Sequence, residues 1–132
     1  MLKAHQESPP LARPILTSAD VVELQSVATR VHVEDDLLEY VAALAAFTRG
    51  HQDVLLGASP RGSLALVTAA KGLAVVRGRS FVTPDDVQAL APQVFAHRLV
   101  LAPELEGRPE ARERVVQAAL AKVSYRRAVR AV

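Results

Sequence analysis

Gly57-Ala58-Ser59-Pro60-Arg61-Gly62-Ser63 opens a long, almost uncharged stretch that runs to about Arg77. Serine is a favoured helix N-cap and proline suits the first helical position. That register predicts a helix from Pro60 with Arg61 in its first turn, beside backbone N–H groups that no carbonyl of the helix can satisfy. A cation there opposes the helix dipole. The opposition has a plain reason if the helix mouth and the guanidinium together face a phosphate. Leu64, Leu66, Val67, Leu73, Val75 and Val76 surround this helix on most sides, and Gly62, Ser63, Ala65, Ala69, Ala70, Gly72 and Ala74 are small. Such a helix is one that others approach closely, so it is expected at the centre of the molecule.

The neighbouring segments read outward from this centre as further helices. Thr17 and Asp20 have capping-box spacing, with Leu16 and Val21 placed as a hydrophobic staple; Val21, Leu24 and Val27 or Ala28 form the expected buried stripe. A second helix is expected from about Glu34 to Arg49, with Gly50 as a left-handed cap and Leu37, Leu38, Val41, Leu44 and Ala45 inward. Val54-Leu55-Leu56 is a short apolar run leading to Gly57, and Phe81-Val82 a brief extended piece. Thr83-Pro84-Asp85-Asp86 is a strong helix start; Pro92 is expected to break that helix and restart it. Pro109 begins a last helix with the stripe Val115, Val116, Ala119, Leu120 and Val123. The expected fold is all-α, a small bundle of four or five helices. The expected organisation is a terminal helix and linker over 1–16, a helical domain over 17–123 and a basic, loose tail over 124–132.

Composition narrows the function classes. The chain has 132 residues, half of them apolar, enough for one domain with a real core. It has no cysteine, so thiolate metal sites and disulfides are excluded, and the composition is compatible with a reducing cytoplasm. Charges interrupt every apolar run, so no helix across a membrane is expected. The formal charge is only +2 despite a pI near 9.4, with both signs mixed along the chain. His5, His32, His51 and His97 lack metal-ligand spacing. Asp85-Asp86 and Glu34-Asp35-Asp36 stand where helix dipoles want negative charge, which explains them without catalysis. There is no phosphate-binding loop of the Gly-x-x-x-x-Gly-Lys-Ser/Thr kind and no nucleophile elbow. One phosphate reader, Arg61, stands without hydrolytic apparatus.

The motifs in their order closely resemble the lid segment of MoxR-type AAA+ ATPases. The resemblance is carried by Gly57 to Leu66, by Arg77-Gly78-Arg79-Ser80-Phe81-Val82-Thr83-Pro84-Asp85-Asp86-Val87, by Leu90-Ala91-Pro92 and by His97-Arg98-Leu99. Val31-His32-Val33, Leu37-Leu38 and Tyr40-Val41 match earlier in the chain, and the similarity spans about Ile15 to Leu101. The resemblance implies that Arg61 is the sensor 2 arginine, reaching the γ-phosphate of ATP held with Mg²⁺ by a core outside this chain. Ser59 and Pro60 would complete the nucleotide-facing turn. It implies no bound cofactor and no ATP hydrolysis for this chain alone. It implies as partners the chain's own AAA+ core, neighbouring subunits of a ring and proteins with von Willebrand factor A domains, within a cytoplasmic, chaperone-like machine, with no nucleic acid and no membrane. Met1 to Gln6 then reads as the end of a helix leaving the core. Gly62 departs from the family's more frequent alanine, a change worth roughly 1 kcal/mol in a helix. The rival readings are a small helical, histone-like nucleic-acid-binding module, which the arginine content and the Thr-Pro-Asp-Asp start also suit, and a protein-interaction bundle that never meets nucleotide.

Overall fold

The structure, a computed structural model, describes residues 13–105 and 107–126. The expected terminal helix and linker before Arg13, and the arginines of the tail beyond Arg126, lie outside the described residues. Among the described residues five α-helices form: α1 (Ser18–Thr29), α2 (Asp35–Arg49), α3 (Pro60–Val76), α4 (Pro84–Phe95) and α5 (Pro109–Lys122). Short 3-10 turns at Ala96–Arg98 and Pro103–Leu105 punctuate the path from α4 to α5.

Helix α3 is central, as its small residues require. It packs against α4, α1 and α2, while α5 closes the other side against α2 and α4. Gly62, Leu66, Ala70 and Ala74 form its buried ridge, one residue every four. Three of the four are small, so neighbouring backbones come near. Leu37, Tyr40, Val41 and Leu44 of α2, Val87, Ala91 and Phe95 of α4, and Val115, Val116 and Ala119 of α5 fill the core around that ridge. The opposite face of α3 is open: Leu64 is 68% and Val76 84% exposed. The expectation of a helix enclosed on most sides is thus corrected. An apolar composition shows that a face can be buried, not that a neighbour exists to cover it.

Helix α1 has the expected capping box, with Thr17 Oγ1 accepting the Asp20 N–H and the Asp20 carboxylate accepting the Thr17 N–H. Its stripe is not buried, however. Val21 and Leu24 remain exposed and only Val27 and Ala28 are half-covered, because the helix lies on the outer side of α3 with nothing beyond it among the described residues. Lys71, the one charge in α3 beyond its first turn, donates to the Thr29 carbonyl at 3.1 Å and so closes the end of α1, where a cation complements the dipole.

Three local expectations change. Gly50 has φ −93°, not the left-handed value; its N–H reaches both the Ala46 and Phe47 carbonyls and ends α2 by a tighter turn. Leu38 is exposed, on the flank of the Leu37–Val41–Leu44 stripe. Pro92 does not break α4, which runs through it to Phe95. The carbonyl deprived of a donor belongs to Gln88 on the exposed side, where water can replace the missing N–H.

Two extended pairings tie the loops together. The run at 54–56 is strand β1 (Val54–Leu56), antiparallel to β2 (Val100–Leu101) with an irregular register between Val54 and Leu56. Sequence periodicity does not show this two-stranded sheet, because β2 is only two residues long. His32 and Phe81 form a parallel bridge: the His32 N–H donates to the Ser80 carbonyl at 2.9 Å and the Val82 N–H to the His32 carbonyl at 3.0 Å.

Candidate functional site at the mouth of α3

The turn from β1 into α3 is held from below by the last turn of α2. Thr48 is fully buried; its hydroxyl donates to the Ala45 carbonyl at 2.8 Å and accepts the Ala58 N–H at 2.9 Å. Arg49 Nη1 donates to the Ala58 carbonyl at 2.8 Å. Both backbone groups of Ala58 are therefore fixed by adjacent residues of α2. Gly57 permits this approach: a Cβ on it would stand 2.5 Å from the Arg49 nitrogen and 2.6 Å from its Cα. Only glycine fits there.

From this anchored residue the chain enters the helix as the sequence demands. Ser59 is the N-cap, extended at φ −77° and ψ 165°, and its Oγ accepts the Gly62 N–H at 3.3 Å. Pro60 occupies the first helical position. Arg61 follows it, exposed, and among the described residues nothing hydrogen-bonds or ion-pairs with its guanidinium. No acidic residue stands in the first turn of α3. Of the three residues singled out by sequence, Ser59 spends its oxygen on the cap and Pro60 has no N–H to offer. Arg61 alone presents free donors. The structure also brings Arg98 to this mouth, a placement that its position in His97-Arg98-Leu99 does not announce. Its stem covers Gly62, with Cδ 3.5 Å from where a Gly62 Cβ would lie. Leu55, Leu56 and Val100 add exposed apolar surface on the adjoining strands.

The other end of α3 carries the densest polar cluster. Asp86 is fully buried and accepts from Arg77 Nη1 at 2.8 Å, Arg79 Nη1 at 2.8 Å and Arg79 Nη2 at 2.7 Å. It also accepts the N–H and hydroxyl of Thr83, each at 2.9 Å, as part of the α4 capping box. The Arg79 hydrogen bonds, against the opposing effect of burial, hold the Asp86 carboxyl well below the ordinary carboxylate range. Sequence reasoning saw only dipole complementation here. The guanidiniums come from a turn made by Gly78 at φ 68°, and no spacing rule announces that they close on Asp86. With its oxygens taken, this carboxylate is a clasp between α3 and α4 and has nothing left for acid–base work.

The remaining candidates disperse. His32 lies 3.3 Å from Glu34, and the His51 ring accepts the Asp53 N–H at 3.2 Å. Among the described residues no group of three or more His, Asp or Glu could hold a metal ion. No helix of the described residues is long and apolar enough to cross a membrane. A cleft of about 380 Å³ lies between α1 and the far end of α3, lined by Val27, Val31 and Val75 with Arg30 and Arg79 at its edge. The nucleic-acid reading loses its footing in the arginines themselves. Arg30 binds Ser26, Arg49 binds Ala58, Arg77 and Arg79 bind Asp86, Arg112 binds the Leu99 carbonyl and Arg114 faces Glu110. These cations stitch the bundle and do not collect into a stripe for a phosphate backbone.

Comparison with known proteins agrees with the helical fold. Residues 46–119 match the family described as AAA lid domain. The chain is 43% identical over 103 residues to the chaperone MoxR1 of Mycobacterium tuberculosis, covering 71% of this chain and 27% of that protein. It is 38% identical over 135 residues to the protein YeaC of Bacillus subtilis, covering 98% of this chain and 42% of that protein. A solved structure from Cytophaga hutchinsonii, described as a candidate ATPase, superposes with a TM-score of 0.77 at 25% identity, over 87% of this chain and 38% of that one. The chain thus spans less than half the length of these relatives.

Proposed function

The chain belongs to the AAA lid domain family, in its MoxR type, and on that premise we propose that it closes over ATP bound by an AAA+ core and that Arg61 is its sensor 2 arginine. The observation that carries the reading is Arg61 itself: a guanidinium exposed at a capped helix mouth, with no partner among the described residues and no carboxylate in the same turn. Arg49, Arg77, Arg79 and Arg112 are each tied to a carbonyl or carboxylate of the bundle, whereas Arg61 has its guanidinium and its own first-turn N–H to offer, which suits an anion from outside.

The donor set fits a phosphate group and does not fit Mg²⁺, which takes oxygen ligands that this turn lacks. The metal and the phosphate-binding loop then belong to the core. Arg61 would orient the terminal phosphate and balance charge that grows on its oxygens. Because the arginine is on the lid and the phosphate on the core, the same contact would couple lid position to nucleotide state. The proposal extends to the chain's own core and neighbouring ring subunits as partners, to proteins with von Willebrand factor A domains, and to the cytoplasm as the place of action.

The test is Arg61→Ala in the intact ATPase, with steady-state turnover and ATP affinity measured side by side. Loss of a preorganised donor of this kind predicts a fall in turnover on the order of 10²-fold. Turnover and affinity both equal to the parent's would remove the assigned role.

A further inference from the structure

The residues that aim Arg61 are not next to it in sequence, and the geometry points to Thr48 and Arg49 as positioning residues that set its direction by fixing Ala58; this inference rests on the sensor 2 reading of Arg61. Ala58 is fully buried, three residues before Arg61, and joined to it through the extended Ser59 and the rigid Pro60. Its N–H and carbonyl are both held by α2, at 2.9 and 2.8 Å.

Each of the two residues is a choice that packing alone does not require. A fully buried site on the inner face of α2 suits valine in shape, yet Thr48 places a hydroxyl there. That hydroxyl is the partner of an enclosed N–H that would otherwise be orphaned. A cation in the last turn of α2 would serve the dipole while pointing to water. Arg49 instead reaches across nine residues of chain to the Ala58 carbonyl. Gly57 lies flat on the Arg49 backbone, so the turn cannot slide along α2. The first turn of α3 is therefore referenced to α2, which also packs on α5, and the guanidinium starts from a fixed point.

A misplacement of about 1 Å at a reacting centre can cost up to about 10²-fold in rate. Release of one of two anchors predicts a fall in kcat on the order of 10-fold, with little change in KM. The experiment is a double-mutant cycle in the intact ATPase: Thr48→Val, Arg61→Ala and the pair, with Thr48→Ser as the hydroxyl-retaining control and the same cycle run for Arg49→Ala. The expected result is a lower kcat for Thr48→Val and Arg49→Ala in the parent, near-parent kcat for Thr48→Ser, and no further loss from either when Arg61 is already alanine. Equal fold-losses in both backgrounds would mean a merely structural role and would overturn the inference, as would parent-like kcat in both variants. If Thr48→Val melts below the assay temperature, the Arg49→Ala cycle decides. An Arg61→Ala variant with the parent's turnover and ATP affinity would instead sink the sensor 2 reading, so the two failures are distinguishable.

Discussion

Replacing Asp86 by asparagine tests the clasp that joins α3 to α4. The carboxylate is enclosed and accepts five hydrogen bonds, three of them from guanidiniums. Asparagine keeps one oxygen. If that oxygen faces Thr83 and preserves the cap, the new NH₂ stands where Oδ1 stood, against Arg77 Nη1 and Arg79 Nη2. Two donors then meet a donor. Breaking an enclosed ion pair from one side costs about 3–5 kcal/mol. The Arg77 side chain is 49% exposed and regains water, which places the expected loss at the lower end, about 3 kcal/mol. For a domain of this size that is a fall in Tm of ~12 °C near neutral pH, at ~4 °C per kcal/mol.

The pH dependence has a definite sign. The folded carboxyl is held below its unfolded value of about 3.9, so its contribution is fully present above that pH and is lost as the pH falls further. Asparagine does not titrate. The gap in Tm between parent and variant should therefore be wide at pH 7 and shrink below pH ~4. Thermal unfolding followed by circular dichroism at pH 7, 5, 4 and 3 on both chains measures it. A gap under ~2 °C at pH 7, or one that stays constant down the acid series, would refute the reasoning.

Two glycines of the site should respond in opposite directions. Gly57→Ala drives a Cβ to 2.5 Å from the Arg49 backbone nitrogen and should cost about 1–3 kcal/mol in urea unfolding; a variant as stable as the parent would mean that the turn yields without penalty. Gly62→Ala meets only ordinary contacts, with Arg98 Cδ at 3.5 Å, Ala58 Cβ at 3.8 Å and Phe95 Cε1 at 3.9 Å. It should therefore stabilise the chain by about 0.5–1 kcal/mol through better helix propensity, and a lower urea midpoint would contradict that.

Much of the fold was legible because its signals are local. Thr17 with Asp20, Ser59 with Pro60, and Thr83 with Pro84 and Asp86 place three helix starts, and all three are observed where those residues stand. A cap depends on residues within one turn, so sequence proximity is spatial proximity. Local signals failed where a tertiary contact had the decision. Val21 and Leu24 keep helical spacing but stay exposed, because no described element covers them. Pro92 is tolerated because the affected carbonyl lies on the exposed side of α4. Val100-Leu101 becomes a strand only because Val54–Leu56 lies beside it.

The candidate site divides in the same way. By itself the sequence determined an all-helical domain, the capped mouth of α3 and the presence of Arg61 in its first turn, since these follow from neighbours along the chain. Only the tertiary structure decided that Arg61 has no partner among the described residues while Arg49, Arg77, Arg79 and Arg112 do, that Arg98 covers Gly62, and that Thr48 and Arg49 grip Ala58. A guanidinium's partner is whatever carbonyl or carboxylate the packing brings within 3 Å, and residues nine positions apart acquire that relation only after α2 and α3 have closed around one core.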